Sequence, residues 1–178
     1  MGRDKALLPW GTTTLLDHAI GRLRALVRDV RVLSGTEARY AERGVPVLTD
    51  AATGGGPLAG VLAGLEAAAG VPALFLAVDL PFVPVPLLAR LLDGLGEADA
   101  VVPVTADGPH PLCAAYAATC VAPIRRRLDA GELKMTAFWP DVRVQELKDS
   151  ELSVFGEPAE LLFNLNSPED YADALRGR

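Results

Sequence analysis

Asp79 follows the apolar run Ala73 to Val78 and precedes Leu80-Pro81-Phe82, which places it at the carboxyl end of a predicted buried strand. In open α/β sheets the ligand crevice lies outside such strand ends. A carboxylate there can hold Mg2+, an ion that keeps most of its waters and takes one or two protein oxygens plus substrate phosphates. An Asx-type turn ahead of Pro81 is the other reading of the same residue, and the spacing allows both. Asp50 and Asn164 to Asn166 also fall just past predicted strands. Between them, Gly54-Gly55-Gly56 leads into a helix and offers free backbone N–H groups to a phosphate, or serves as a plain surface connector. This loop matches neither G-x-x-x-x-G-K-[ST] nor G-x-G-x-x-G. Lys5 alone reads as a solvated lysine.

The elements that must carry these groups follow the grammar of βαβ units, in which short Val-, Leu- and Ala-rich runs alternate with amphipathic stretches. Leu15, Leu16, Ala19, Ile20, Leu23, Leu26 and Val27 recur at helical spacing after Thr12-Thr13-Thr14. Strands are expected at Val30 to Leu33 and Val45 to Leu48, with a short helix between them. Pro57 suits the first position of the next helix, and Gly60 and Gly64 give that helix a face for close approach. Ala73 to Val78, without alternation, predicts a strand buried on both faces. A helix from about Pro86 to Leu95, strands at Ala100 to Val104 and Leu112 to Tyr116, and a helix from Cys120 to Ala130 come next. Lys134 to Trp139 reads as a turn or two, Val142 to Leu147 as a strand, Lys148 to Glu160 as loop and Leu161 to Asn164 as a last strand. Ser167-Pro168-Glu169-Asp170 opens a terminal helix with a cap, a proline and dipole-favoured acids. The expected architecture is a single α/β domain over residues 1–178, a Rossmann-like three-layer fold around a mostly parallel sheet.

A formal net charge of −6 argues against a nucleic-acid surface, and Arg125-Arg126-Arg127 reads as a solvated helix face. Two cysteines are too few for a disulfide framework and lack zinc spacing, which points to reduced thiols and a cytoplasmic protein. No apolar run approaches the roughly 18 residues of a membrane span.

Read together, Met1-Gly2-Arg3-Asp4-Lys5-Ala6-Leu7-Leu8, Gly56-Pro57-Leu58-Ala59-Gly60, Asp79-Leu80-Pro81-Phe82, His110-Pro111-Leu112 and Asn164-Leu165-Asn166-Ser167-Pro168-Glu169-Asp170 resemble molybdenum cofactor guanylyltransferase. The resemblance runs the whole chain. It implies a nucleotide-diphospho-sugar-transferase-like fold and transfer of GMP from GTP to molybdopterin with Mg2+. It casts Lys5 as a contact to the GTP phosphates and Asp79 as the metal ligand. By the resemblance Asp50 would be the guanine-recognising carboxylate, with a simple loop cap as its other reading, and Gly56, Pro57 and Leu58 match the loop near the nucleotide. Asn164 and Asn166 match its N-x-N turn, with an amide oxygen for the metal or hydrogen bonds to the pterin; Asn166 also suits a cap of the last helix. His110 is a candidate pterin-side contact, whereas His18 is not. Transient contact with molybdoenzymes or cofactor chaperones is implied as well. Members of the family open with a buried strand and an L-A-G-G-x-S-x-R-M-G loop, of which Met1-Gly2 is the last part, so a first strand and phosphate loop are expected upstream of Met1.

Two other readings compete. A cytidylyltransferase acting on the same pterin usually carries D-Q-P where this chain has Asp79-Leu80-Pro81, which favours GTP. A non-catalytic pterin-binding relative would keep its pterin affinity after Asp79→Ala and show no guanylyl transfer at all.

Overall fold

The computed structural model describes residues 4–35, 37–49 and 55–176. After a helical turn at Lys5–Leu7, strands β1 (Pro9–Trp10) and β2 (Thr13–Thr14) form an antiparallel pair that feeds helix α1 (Leu15–Arg24). Thr14 caps α1 by accepting from the Asp17 N–H at 3.2 Å. Strands β3 (Val32–Leu33) and β4 (Val47–Leu48) pair in parallel, followed by α2 (Gly56–Ala67), β5 (Ala73–Leu76) and α3 (Val85–Asp93). Then come β6 (Ala100–Thr105), β7 (Gly108–Pro109), β8 (Cys113–Tyr116), α4 (Val121–Asp129) and β9 (Val144–Leu147). Short helices α5 (Asp149–Leu152) and α6 (Pro158–Leu161) precede α7 (Pro168–Arg176).

The fold is the expected layered α/β fold, but its main sheet, expected to be mostly parallel, is mixed. β8 lies antiparallel between β5 and β6, β7 pairs antiparallel with β6, and β9 runs parallel to β6. The connection from β6 through β7 to β8 is too short for a crossover helix, so these strands must reverse direction. Period-two alternation then builds three layers. Val101, Cys113 and Ala115 face α3 through Leu87, Leu88 and Leu91. Ala100, Val102, Ala114 and Tyr116 face the opposite way, against Leu58, Val61 and Leu65 of α2 and Ile124 of α4.

Two segments are placed by this core rather than by their local pattern. Lys148 to Glu160, expected as loop, contains α5 and α6, which are single turns anchored by buried Leu152 and Leu161. Leu161 to Asn164, expected as a strand, joins no ladder among the described residues; Leu161, Leu162 and Leu165 are buried by packing instead.

β5 departs from the expectation of burial on both faces, since only Phe75 is buried there. Among the described residues β5 pairs only with β8, and β3 only with β4. Between them lies an apolar cleft of about 700 Å3, walled by Leu16 and Ile20 of α1, Leu33 of β3, Gly64 of α2, and Leu74 and Leu76 of β5. Helix α2 bridges it: a Cβ at Gly64 would stand 2.8 Å from the Phe75 ring and 3.6 Å from Leu33 Cδ1. An apolar cleft of this size, beside strand edges without a further partner among the described residues, should bind apolar probes. The folded 178-residue chain is expected to raise anilinonaphthalene sulfonate fluorescence several-fold, roughly as exposed apolar surface does. Leu33→Gln should reduce that rise.

Candidate active site

The Ala77 N–H donates to Leu112 O at 2.8 Å, carrying the β5–β8 ladder one step beyond Leu76. The chain then turns, with the Leu80 N–H bonded to Ala77 O at 3.3 Å, and presents the Asp79 side chain at the strand's carboxyl end. The Asp79 carbonyl accepts from the Leu165 N–H at 3.0 Å, which fastens the Asn164–Asn166 turn to the same spot from the far end of the chain. Lys5 arrives from the other terminus. Its turn is capped by Asp4, whose Oδ1 accepts from the Ala6 N–H at 3.1 Å. Lys5 Nζ stands 4.0 Å from Asp79 Oδ2 and makes a long, 3.5 Å hydrogen bond to Asn166 Oδ1. Asp79 and Lys5 keep 26% and 33% of their side-chain surface exposed, so both charges remain open to a ligand.

Asp170 holds Asn166 in place. Its Oδ2 accepts the backbone N–H groups of Asn166 at 2.9 Å and Ser167 at 2.8 Å, while Ser167 Oγ accepts the Asp170 N–H at 3.0 Å. This is a reciprocal cap at the start of α7. The Ser167 backbone N–H chiefly, then the Ser167 side chain, with the Asn166 N–H and the Lys5 charge adding to them, hold the Asp170 carboxyl below the usual carboxylate range.

Asp79, His110, Asn164 and Asn166 line one recess of about 270 Å3, with Met135 and Pro111 on its wall. His110 is half-buried; its backbone N–H donates to Pro103 O at 2.9 Å and its ring Nε2 lies 3.0 Å from Thr105 Oγ1. Burial lowers the imidazole from its ordinary 6.5, against an upward pull from Asp107. The unfolded chain therefore takes up this proton first as the pH drops. Stability from the neutral ring is complete above about 6.5 and is lost progressively below it. In thermal melts between about pH 7.5 and 5, Tm should fall with acid less steeply in His110→Gln than in the unchanged chain.

The oxygen donors present suit a hard divalent cation. One carboxylate, Asp79, and one amide oxygen, from Asn166, converge beside Lys5, and the larger cleft opens onto the same Asp79. Mg2+ asks for little more from a protein when phosphates supply the other ligands. Among the described residues no group of three or more His, Cys, Asp or Glu forms a metal cage. Cys113 and Cys120 are free and buried, their thiols pushed up to about 12 by burial, so neither serves as a nucleophile.

Of the residues singled out in the sequence, Lys5, Asp79, His110, Asn164 and Asn166 thus meet at one place. Gly56 and Pro57 are exposed on the wall of the larger cleft, with Gly56 at φ +59°, a conformation that favours glycine. Leu58 is fully buried in the core below α2, where its side chain serves packing. Asp50 lies outside the described residues. His18, set aside in the sequence, packs edge-on to Trp10 at 6.0 Å between ring centroids. The sequence reading missed Thr105 and the clasping role of Asp170. The Ser167-x-x-Asp170 spacing was a usable signal for the second; nothing local pointed to the first.

The MobA-like NTP transferase domain model matches residues 1–143. A Pelotomaculum thermopropionicum relative named probable molybdenum cofactor guanylyltransferase is 34% identical over 175 residues, covering 98% of this chain and 85% of the relative. The crystal structure of molybdopterin-guanine dinucleotide biosynthesis protein A from Archaeoglobus fulgidus superposes with a TM-score of 0.81 at 23% identity, covering 97% of this chain and 89% of that one. A Mycobacterium tuberculosis H37Rv protein solved in complex with manganese has a TM-score of 0.66 at 22% identity, covering 98% and 93%. These two structures share the fold. No helix among the described residues is long and apolar enough to cross a membrane.

Proposed function

This chain belongs to the MobA-like NTP transferase family, among the molybdenum cofactor guanylyltransferases, and we propose that it transfers GMP from GTP to molybdopterin, releasing pyrophosphate. The observation that carries this reading is the meeting of Lys5, Asp79 and Asn166 at the carboxyl end of β5. A lysine ammonium held loosely by a carboxylate 4.0 Å away is free to bind phosphate oxygens. Asp79 and Asn166 would hold Mg2+, which, when bound, polarises the α-phosphate and offsets charge on the leaving pyrophosphate. The M. tuberculosis neighbour solved with manganese supports a divalent ion at this fold.

His110 and Asn164, which line the same recess as Asp79, contact the pterin substrate in this reading. Its terminal phosphate oxygen attacks the α-phosphorus in line; a P–O bond forms there as the bond to the β-phosphate oxygen breaks. That nucleophile is already anionic, so no side chain need remove a proton. The protein's task is orientation and charge, supplied by Lys5 on the phosphates and by the exposed Gly56-Pro57 entry to α2, which permits close backbone approach. Asp50 takes the guanine N1–H and amine as acceptor. Residues 1–178 act as one nucleotidyltransferase domain. The free, buried thiols fit a cytoplasmic setting and the net charge of −6 argues against a nucleic-acid partner, while transient contact with molybdoenzymes or cofactor chaperones follows from the family resemblance alone.

The test is turnover of α-labelled GTP with molybdopterin and Mg2+, read as labelled dinucleotide and released pyrophosphate. GTP should be used in preference to CTP, and Lys5→Ala should lower kcat/KM by about 10²-fold. A preference for CTP, or no transfer with either, overturns the assignment.

A further inference from the structure

We propose that Tyr40 is a positioning residue for Lys5, acting through Asp4; the proposal rests on reading Lys5 as the phosphate-binding cation. Both oxygens of the Asp4 carboxylate are engaged. Oδ1 caps the turn that carries Lys5 by accepting the Ala6 N–H at 3.1 Å. Oδ2 accepts the Tyr40 hydroxyl at 2.6 Å and Arg39 Nη1 at 3.2 Å. The carboxylate therefore cannot turn without releasing the cap, the cap fixes where the Lys5 stem leaves the backbone, and Lys5 then reaches Asp79 and Asn166.

Of the two groups on Oδ2, Tyr40 is the firmer anchor. The Arg39 side chain is 52% exposed, and an ion pair in that setting holds weakly. The Tyr40 ring packs against the Val30, Val32 and Val45 cluster, with its hydroxyl aimed at Asp4. Its backbone sits at φ +71°, a left-handed conformation that a bulky residue adopts only where the surroundings demand it. Burial first, then the bond to Asp4, push the phenol up to about 12, so it stays a donor across any working pH. The Asp4 carboxylate is thus satisfied by Tyr40, Arg39 and the Ala6 N–H, while the Lys5 ammonium is directed to Asp79 and Asn166.

The test is a double-mutant cycle with Tyr40→Phe, which keeps the ring's packing, and Lys5→Ala. Tyr40→Phe is expected to lower kcat for GMP transfer roughly tenfold, about the factor lost with one charge-assisted hydrogen bond, with KM for molybdopterin unchanged. In the Lys5→Ala background the same change should cost less than about twofold, because its route to the chemistry is gone. Equal losses in both backgrounds, or full kcat in Tyr40→Phe, overturn the proposal while leaving the role of Lys5 intact. Full activity in Lys5→Ala alone overturns the assignment of Lys5 and this inference with it.

Discussion

Asp79→Asn is expected to lower kcat/KM for GMP transfer by about 10²- to 10³-fold while leaving the fold in place. The substitution preserves shape and one oxygen but removes the negative charge. Among the described residues lining the small recess Asp79 is the only carboxylate, and it also borders the larger cleft. The loss therefore falls on metal affinity and on the balance of charge around the phosphates. Stability should hardly move, because the Asp79 side chain is 26% exposed and its ion pair with Lys5 spans 4.0 Å. Its structural contribution comes through the backbone carbonyl, which accepts from Leu165 and is retained in Asn. Steady-state kinetics beside thermal melts check both halves; a large fall in Tm, or full activity, contradicts them. Partial recovery of rate at raised Mg2+ is the added sign that metal binding is what was lost.

Phe138→Ala is expected to destabilise the protein by about 3 to 5 kcal/mol, against a total stability of about 5 to 15 kcal/mol for a domain of this kind. Phe138 is fully buried on the α2–α4 side of the sheet. Its ring stands edge-on to Tyr116 at 5.9 Å, and Tyr116 in turn stands edge-on to Phe75 at 5.7 Å. Such contacts each add roughly 0.5 to 1.5 kcal/mol beyond burial. The buried cluster that holds the ring draws on three strands, β5, β6 and β8, and on helices α2 and α4, all held by other contacts, so the cavity left by alanine has little room to collapse. Urea denaturation should show the midpoint falling with little change in slope. Phe163→Ala, at a ring 41% exposed, serves as the comparison and should stay within about 0.5 kcal/mol.

Phe138 also marks a boundary in what could be read ahead of the structure. It lies in Lys134 to Trp139, where the sequence shows no period, yet it is among the best buried side chains in the molecule. Helices α1 and α2, strand β6 and the cap of α7 were legible, because periodicity, glycine placement and capping act between residues a few positions apart. The place of Asp79 at a strand end was legible for the same reason. Antiparallel β8 and the half-exposed state of β5 were not, since they depend on which strands become neighbours and which edges stay unpaired. α5 and α6, at four residues each, are too short to show a helical period and are held by Leu152 and Leu161 in the core.

The candidate site divides the same way. Placement just past predicted strands nominated Asp79, Asn164 and Asn166 and suggested metal chemistry for Asp79, and the family resemblance added Lys5 for the phosphates and His110 for the pterin. That Lys5 and Asn166, 161 residues apart, touch beside Asp79 is a property of the folded path. So is the hold of Tyr40 on Asp4, across 36 residues. Local pattern carries the energetics of one turn or one strand. Contacts at such separations form only when the packing of everything between them has offset the entropy of bringing them together.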